Sequence, residues 1–257
     1  MKYDLVISIV TYNSDLTYVE NLSKFLESIK KIKIKTIIAD NLSSSSYYNR
    51  LLNLKSDVIS TGKNYGYGKA NNLVNIISPP SKYFLVLNPD IKMKPEVIYK
   101  IYDFMEKNNN YGLVGPVLKS TNSNYYNIFR DNFNFFNMLK RWLFKIDDTL
   151  ERKKFNILTS NYSEVIDVKY ISGSFMFFRR DIFNKLGGFN NKFFMYFEDI
   201  EICDFIKTKN FNIGVIKLAE VEHLRNRASY KNFKLFINHF ISWLLYKIFN
   251  RSKKIKL

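Results

Sequence analysis

A single cysteine, Cys203, excludes an internal disulfide and a cysteine-built zinc site. Histidine is nearly as scarce, with two in the whole chain. Acidic residues are outnumbered, 23 against 40 Lys and Arg, for a net charge of +17. Such an excess favours anionic partners: nucleic acid, phosphorylated ligands or an anionic membrane. Long apolar runs are also missing. The first, Leu5 to Val10, is interrupted by Ser8 and ends at Thr11-Tyr12-Asn13. It is too short for a signal peptide or a membrane span, so the expected location is the cytosol. No internal repeat or separating linker is visible.

What is present describes a globular chain. Its 257 residues suffice for one large or two small domains, with 46% hydrophobic and 25% charged residues. Aromatics reach 17%, including 23 Phe and 18 Tyr, which suggests a stacked core and an aromatic-lined cleft.

Apolar runs ended by polar turns recur along the first half. Strands are expected at Leu5–Val10, Thr36–Ala39, Val58–Ser60, Lys82–Leu87 and Gly112–Leu118. Helical spacing falls between them at Leu16–Ile29, after the loop entering at Gly62–Asn72, and from Pro95 to about Lys107. This alternation predicts an α/β fold with a mostly parallel central sheet and helices on both faces. Ligands of such sheets bind at the carboxyl ends of the strands. Those ends carry Thr11-Tyr12-Asn13, Asp40-Asn41 and Asn88-Pro89-Asp90.

Periodicity lapses over residues 119–164, which read as a mobile insertion over the cleft, with a basic helix at Met138–Lys145. It returns at Val165–Arg179, an apolar strand broken by Ser172-Gly173-Ser174. A short helix at Asp181–Leu186 ends at Gly187-Gly188. Phe193 to Phe197 then run straight into Glu198-Asp199, where a helix to about Lys209 begins. Ile202, Cys203 and Ile206 share the helix face of Asp199, which desolvates that carboxylate. The helix start acts in the opposite sense and favours the anion. A strand near Ile213–Ile216 follows. From Lys231 to Leu257 there are seven Lys or Arg and no acid, with Phe233, Phe236, Phe240, Leu244 and Ile248 on one helical stripe. This basic amphipathic helix suits either an anionic membrane surface or docking on the core.

Several clusters carry chemistry. Asp40-Asn41 offers groups for a nucleobase edge. Asn64 through Asn72, with Gly66 and Gly68, is a loop that lets backbone approach phosphate. It lacks the three-glycine spacing of a dinucleotide site. Asp90, fixed after Pro89, is placed to hold a hard cation against a diphosphate. His223, a lone histidine of the kind more often structural, could complete the coordination sphere if it lies opposite Asp90.

In this order the motifs resemble family 2 glycosyltransferases, most of all their rhamnosyltransferase-like branch. They are Val6 to Asn13, Asp40 to Ser43, Asn64 to Asn72, Leu87 to Asp90, Gly173-Ser174, Gly187 to Phe189 and Phe197 to Asp199. The likeness covers about residues 4–230. It implies the GT-A fold, a nucleoside diphosphate sugar donor, dTDP- or UDP-linked, and Mg²⁺ or Mn²⁺. By the same likeness Asp199 is the catalytic base, supported by Glu198, and Asp90 and His223 hold the metal. Thr11, Tyr12, Asn13, Asp40, Asn41, Asn64, Gly66, Asn72 and Asn88 are expected at the donor. Gly173 and Ser174 are expected at the donor or acceptor sugar, and Arg130, Arg225 and Arg227 at the diphosphate. Residues 1–118 would form the nucleotide-sugar half of one domain, 119–230 the acceptor and catalytic half, and 231–257 the helical tail. The acceptor would be a saccharide or a lipid-diphosphate-linked one at the inner membrane face. Two positions depart from the family pattern: Ser43 to Ser46 replace a second aspartate, and Glu201 stands where another aspartate is common. The chain also carries little beyond the catalytic lobe. The rival readings are a basic nucleic-acid-binding protein and a non-catalytic, membrane-associated relative.

Overall fold

The computed structural model describes residues 2–120, 163–224 and 233–254. The insertion and its helix at Met138–Lys145 lie outside these residues, as do Arg130, Arg225 and Arg227.

Nine strands form one sheet. They are β1 (Tyr3–Thr11), β2 (Ile34–Asp40), β3 (Asp57–Ser60), β4 (Ser81–Leu87), β5 (Ile91–Lys92), β6 (Tyr111–Ser120), β7 (Val165–Asp167), β8 (Phe175–Arg179) and β9 (Asn212–His223). The order is β3-β2-β1-β4-β8-β6-β9-β5, with β7 also paired to β9. β3, β2, β1 and β4 are mutually parallel, and β8 runs against both β4 and β6. β6 and β9 therefore run in the direction of β4, so the sheet is mostly parallel.

Both faces of this sheet are covered, which is why its strands read as continuous apolar runs. In β1, Leu5, Ile7 and Ile9 face a core that includes Val19, Leu22 and Leu26 of α1 (Leu16–Glu27). Tyr47 and Leu51 of α2 (Ser45–Leu51) join that core, as do Val97, Ile98 and Ile101 of α4 (Pro95–Lys107). Val6 and Val10 face the opposite core, against Ala70 and Val74 of α3 (Tyr67–Ile77) and Phe183 of α5 (Arg180–Lys185). Ile200, Ile202 and Ile206 of α6 (Glu198–Thr208) complete this second core. The result is three layers around two apolar interiors.

Two consecutive arginines lock helix ends to this sheet. Arg179 donates to the carbonyls of Met105, Asn108 and Tyr111 at the end of α4. Arg180 donates to Asn75, Ser78 and Pro79 carbonyls at the end of α3, and to the Ser78 and Ser81 hydroxyls. Arg179 is the last residue of β8 and Arg180 the first of α5, so one dipeptide at the strand-to-helix junction ties a helix on each side.

Three elements differ from the sequence expectation. α2 and the two-residue β5 carry no periodic signal of their own. β9 is much longer than Ile213–Ile216: opposite Pro116 its register slips, so that Ile216 pairs with Pro116 and Glu220 with Val117. Proline lacks the amide hydrogen that a regular ladder needs, and a bulge tolerates that loss. Past the bulge the strand continues to His223, which pairs with Ile91 of β5.

The carboxyl-terminal helix, α7 (Phe233–Lys254), docks on the core by one face. Trp243, Leu245, Tyr246 and Phe249 pack against the α3–α6 layer. The Ser242 hydroxyl donates to the Met195 carbonyl at 2.7 Å, and Tyr246 donates to Asp204 at 2.6 Å. No described helix is long and apolar enough to cross a membrane.

Candidate active site

Parallel direction brings the ends of β1, β2 and β4 to one edge of the sheet. At the first two, Thr11 and Asp40 are buried neighbours, with the Thr11 hydroxyl 3.4 Å from Asp40 Oδ1. The other Asp40 oxygen accepts the Ser43 amide at 3.0 Å. Asn13, in left-handed backbone, accepts the Ser44 amide and donates its own amide to the Ser43 hydroxyl. Ser43 and Ser44 thus close the rim through hydroxyl and amide groups. Tyr12 stands exposed at this mouth.

Three residues expected at the donor are occupied by the protein itself. Asn41 Nδ2 donates to Asn64 Oδ1 and the Gly66 carbonyl, and its Oδ1 accepts the Tyr65 amide. Asn72 clamps the turn beyond Gly188: Nδ2 donates to the Phe189 carbonyl and Asn191, and Oδ1 accepts the Phe189 amide. Gly66 is required by a close approach of protein backbone. Its φ is +83°, and a Cβ there would overlap the Phe194 carbonyl. These side chains and this glycine hold the loop between β3 and α3 and the turn at Gly188 in place. Asn64, whose Oδ1 also accepts the Gly66 amide, holds the same turn.

The end of β4 leads into Asn88-Pro89-Asp90. Asp90 Oδ1 lies 3.2 Å from His223 Nε2, an approach set by the β5–β9 ladder that pairs Ile91 with His223. The Asp90 backbone carbonyl accepts the Leu224 amide at 2.8 Å. Although so near the imidazole, that buried oxygen receives no hydrogen bond of acceptable geometry. A buried carboxylate oxygen without a donor, facing an imidazole nitrogen, is a fit for a divalent cation. Among the described residues no group of three or more His, Cys, Asp and Glu is assembled. Two protein ligands would leave the remaining positions to a diphosphate and water, as suits Mg²⁺ or Mn²⁺.

Asp199 sits in the first turn of α6, buried, with Ile202, Cys203 and Ile206 buried behind it. One oxygen accepts the Gly173 amide at 3.1 Å and the other the Ile200 amide at 2.9 Å. The backbone ahead of it is strained. Tyr196 and Phe197 both take positive φ, +70° and +69°, which costs non-glycine residues about 1–3 kcal/mol each. Burial of Phe197 against His239 and Tyr246 of α7 holds the strain in place. Glu201 does not face the pocket edge but accepts from Asn190 at 2.9 Å, bracing the turn that precedes the helix.

Tyr67 joins the two halves of this site. Its hydroxyl lies 2.8 Å from both Asn88 Oδ1 and the Gly173 carbonyl, one proton between two acceptors unless the Asn88 amide is turned to donate. Asn88 is bound a second time, its amide donating to the Ser174 carbonyl at 2.9 Å. Burial pushes the Tyr67 phenol well above its ordinary value, and the charges of Glu198, Asp90 and Asp199 push it further. All three carboxylates therefore act on one phenol, and the loops carrying Asp90, Gly173 and Asp199 meet there. Sequence reasoning passed over Tyr67. It lies inside the Asn64–Asn72 motif, but only the tertiary fold shows which loops its hydroxyl reaches.

Comparison with known proteins settles the family. The model of glycosyl transferase family 2 matches residues 6–187. The chain belongs to glycosyl transferase family 2. Among curated relatives of this glycosyltransferase is the low-salt glycan biosynthesis hexosyltransferase Agl10 of Haloferax volcanii. It is 26% identical over 259 residues, covering 94% of this chain and 76% of that protein. Another is the N-acetylglucosaminyl-diphospho-decaprenol L-rhamnosyltransferase of Mycobacterium tuberculosis, 24% identical over 224 residues, covering 79% and 71%. The mannosyltransferase PcManGT from Pyrobaculum calidifontis, solved with GDP-Man and Mn²⁺, superposes with a TM-score of 0.62 at 13% identity. That match covers 89% of this chain but 59% of the other, and it shows the GT-A fold.

Proposed function

We propose that this glycosyltransferase is an inverting, metal-dependent enzyme. It would move a sugar from a dTDP- or UDP-linked donor to a saccharide or lipid-diphosphate-linked acceptor in surface polysaccharide synthesis. The meeting of Asp199 with the Asp90–His223 pair around Tyr67 is the observation that carries this reading. The name of the mycobacterial relative, which includes a diphospho-decaprenol acceptor, supports the lipid-linked class.

Residues 1–118 would receive the nucleotide, with Asp40, Thr11 and Asn13 beside the base and Tyr12 at the mouth. Residues 119–230 would receive the acceptor. A divalent cation held by Asp90 and His223 would supply positive charge to the donor diphosphate. Asp199 is the general base. Its carboxylate, aimed by the Gly173 amide, takes the proton of an acceptor hydroxyl. The hydroxyl oxygen attacks the anomeric carbon from the side opposite the diphosphate. The bond from that carbon to the diphosphate breaks with its electron pair leaving on oxygen, and the configuration inverts. Glu198, buried next to Asp199, supports the site rather than reacting. Tyr67 remains protonated, so it acts as a hydrogen-bond donor and does not compete as the base.

A donor screen tests this directly. Incubation with a panel of nucleotide sugars, Mn²⁺ and a saccharide acceptor is expected to release nucleoside diphosphate from a dTDP- or UDP-sugar. Asp199→Asn should slow release by about 10²- to 10⁴-fold, the usual contribution of a positioned base. Full activity in Asp199→Asn, or no release with any donor, would contradict the proposal.

A further inference from the structure

Among the described residues, one face of α7 holds it to the protein. His239, Ser242 and Tyr246 turn inward onto Phe197, Met195 and Asp204. On the opposite side Phe233, Ile237, Ile241 and Leu244 are 65%, 42%, 47% and 40% exposed. Successive steps of three or four residues put them on one stripe. Single exposed apolar residues are ordinary, but a continuous stripe along one helix is a surface for contact. Lys247 is exposed on the same helix, and residues 231–257 contain seven Lys or Arg with no acidic residue.

We propose that this stripe lays α7 in the plane of an anionic bilayer surface, with Lys247 on the lipid headgroups. Charge selects this occupant. A second copy placed stripe to stripe would bring together two tails without a single carboxylate, each on a chain of net charge +17. An anionic headgroup layer compensates that charge while the apolar stripe enters the acyl boundary. The helix lies on the surface rather than spanning it, since it is not apolar enough to cross. Its inner face touches Tyr196 and Phe197, the residues just before Glu198 and Asp199. Docking would thus hold the candidate site about one helix diameter, ~10 Å, from the headgroups. Delivery of a lipid-linked acceptor to Asp199 is a consequence that rests on the proposed function. The docking itself does not.

The test is flotation of the full chain with phosphatidylcholine vesicles, with and without phosphatidylglycerol, in the absence of any sugar donor or acceptor. Binding is expected with phosphatidylglycerol, weak without it, and reduced by salt. The triple variant Ile237→Ser, Ile241→Ser, Leu244→Ser should lose about tenfold or more of the bound fraction, since apolar burial adds to the electrostatic attraction. Its thermal midpoint and its nucleotide binding should be unchanged, because these side chains face outward. Lys247→Glu, which leaves the stripe intact, should weaken binding in low salt only. Equal binding to both vesicle types, or wild-type binding by the triple variant, would overturn the proposal. So would a dimer in light scattering that the triple variant abolishes, which would make a second copy the occupant. Vesicle binding without glycosyl transfer would leave the docking standing and refute only the reaction.

Discussion

Tyr67 shows how one hydroxyl can hold a site together. It touches no predicted ligand directly, yet it bridges the loop bearing Asp90 and the loop whose Gly173 amide aims Asp199. Tyr67→Phe leaves Asn88 Oδ1 and the Gly173 carbonyl without that donor, a loss of about 1–3 kcal/mol in stability. Because both loops then shift relative to each other, turnover should fall by about 10- to 100-fold, as small misplacements of reacting groups do. Steady-state kinetics and thermal unfolding on the same variant check this; unchanged turnover would make Tyr67 merely structural. At this scale the nearness of Asp90 and His223 and the burial of Asp199 were legible, because each stands at the end of an apolar run. The sequence was less specific at Asn41, Gly66 and Asn72. Asn and Gly in loops look the same whether they bind a ligand or the neighbouring backbone, and here the partners are Tyr65, Phe194 and Phe189.

Among the elements, the parallel strands β1, β2 and β4 were legible because burial on both faces leaves no polar alternation to blur them. β5 was not, since two residues have no period. The bulge in β9 was hidden as well, because Lys217, Glu220 and Glu222 interrupt the apolar run that would have marked a strand. Both shape the proposed site, as the β5–β9 pairing is what sets His223 beside Asp90. Arg179, read from sequence only as the end of a strand, and Arg180 after it fasten α4 and α3 to the sheet. Arg180 is buried, and burial lowers the guanidinium from its ordinary value without releasing its proton. Arg180→Ala would leave the carbonyls of Asn75, Ser78 and Pro79 without their donor. A destabilisation of about 3 kcal/mol is expected, since hydrogen bonds from a charged donor are the costly ones to lose. Chemical denaturation measures it; a change under about 0.5 kcal/mol, typical of a surface site, would show that water replaces the arginine.

For the molecule as a whole, one sheet with covered faces presents the ends of β1, β2 and β4 along a single edge, where the proposed chemistry would collect. The excess of basic residues is compatible with both the anionic donor and the anionic surface proposed for α7. The central claim is that Asp90 and His223 serve the diphosphate while Asp199 serves the acceptor. Calorimetric titration of UDP and dTDP, with and without Mn²⁺, tests that division of labour. Mn²⁺ should tighten binding of one nucleotide in the wild type and in Asp199→Asn, but not in Asp90→Ala or His223→Ala. Tightening by Mn²⁺ that survives in the Asp90→Ala, His223→Ala double variant would contradict the account.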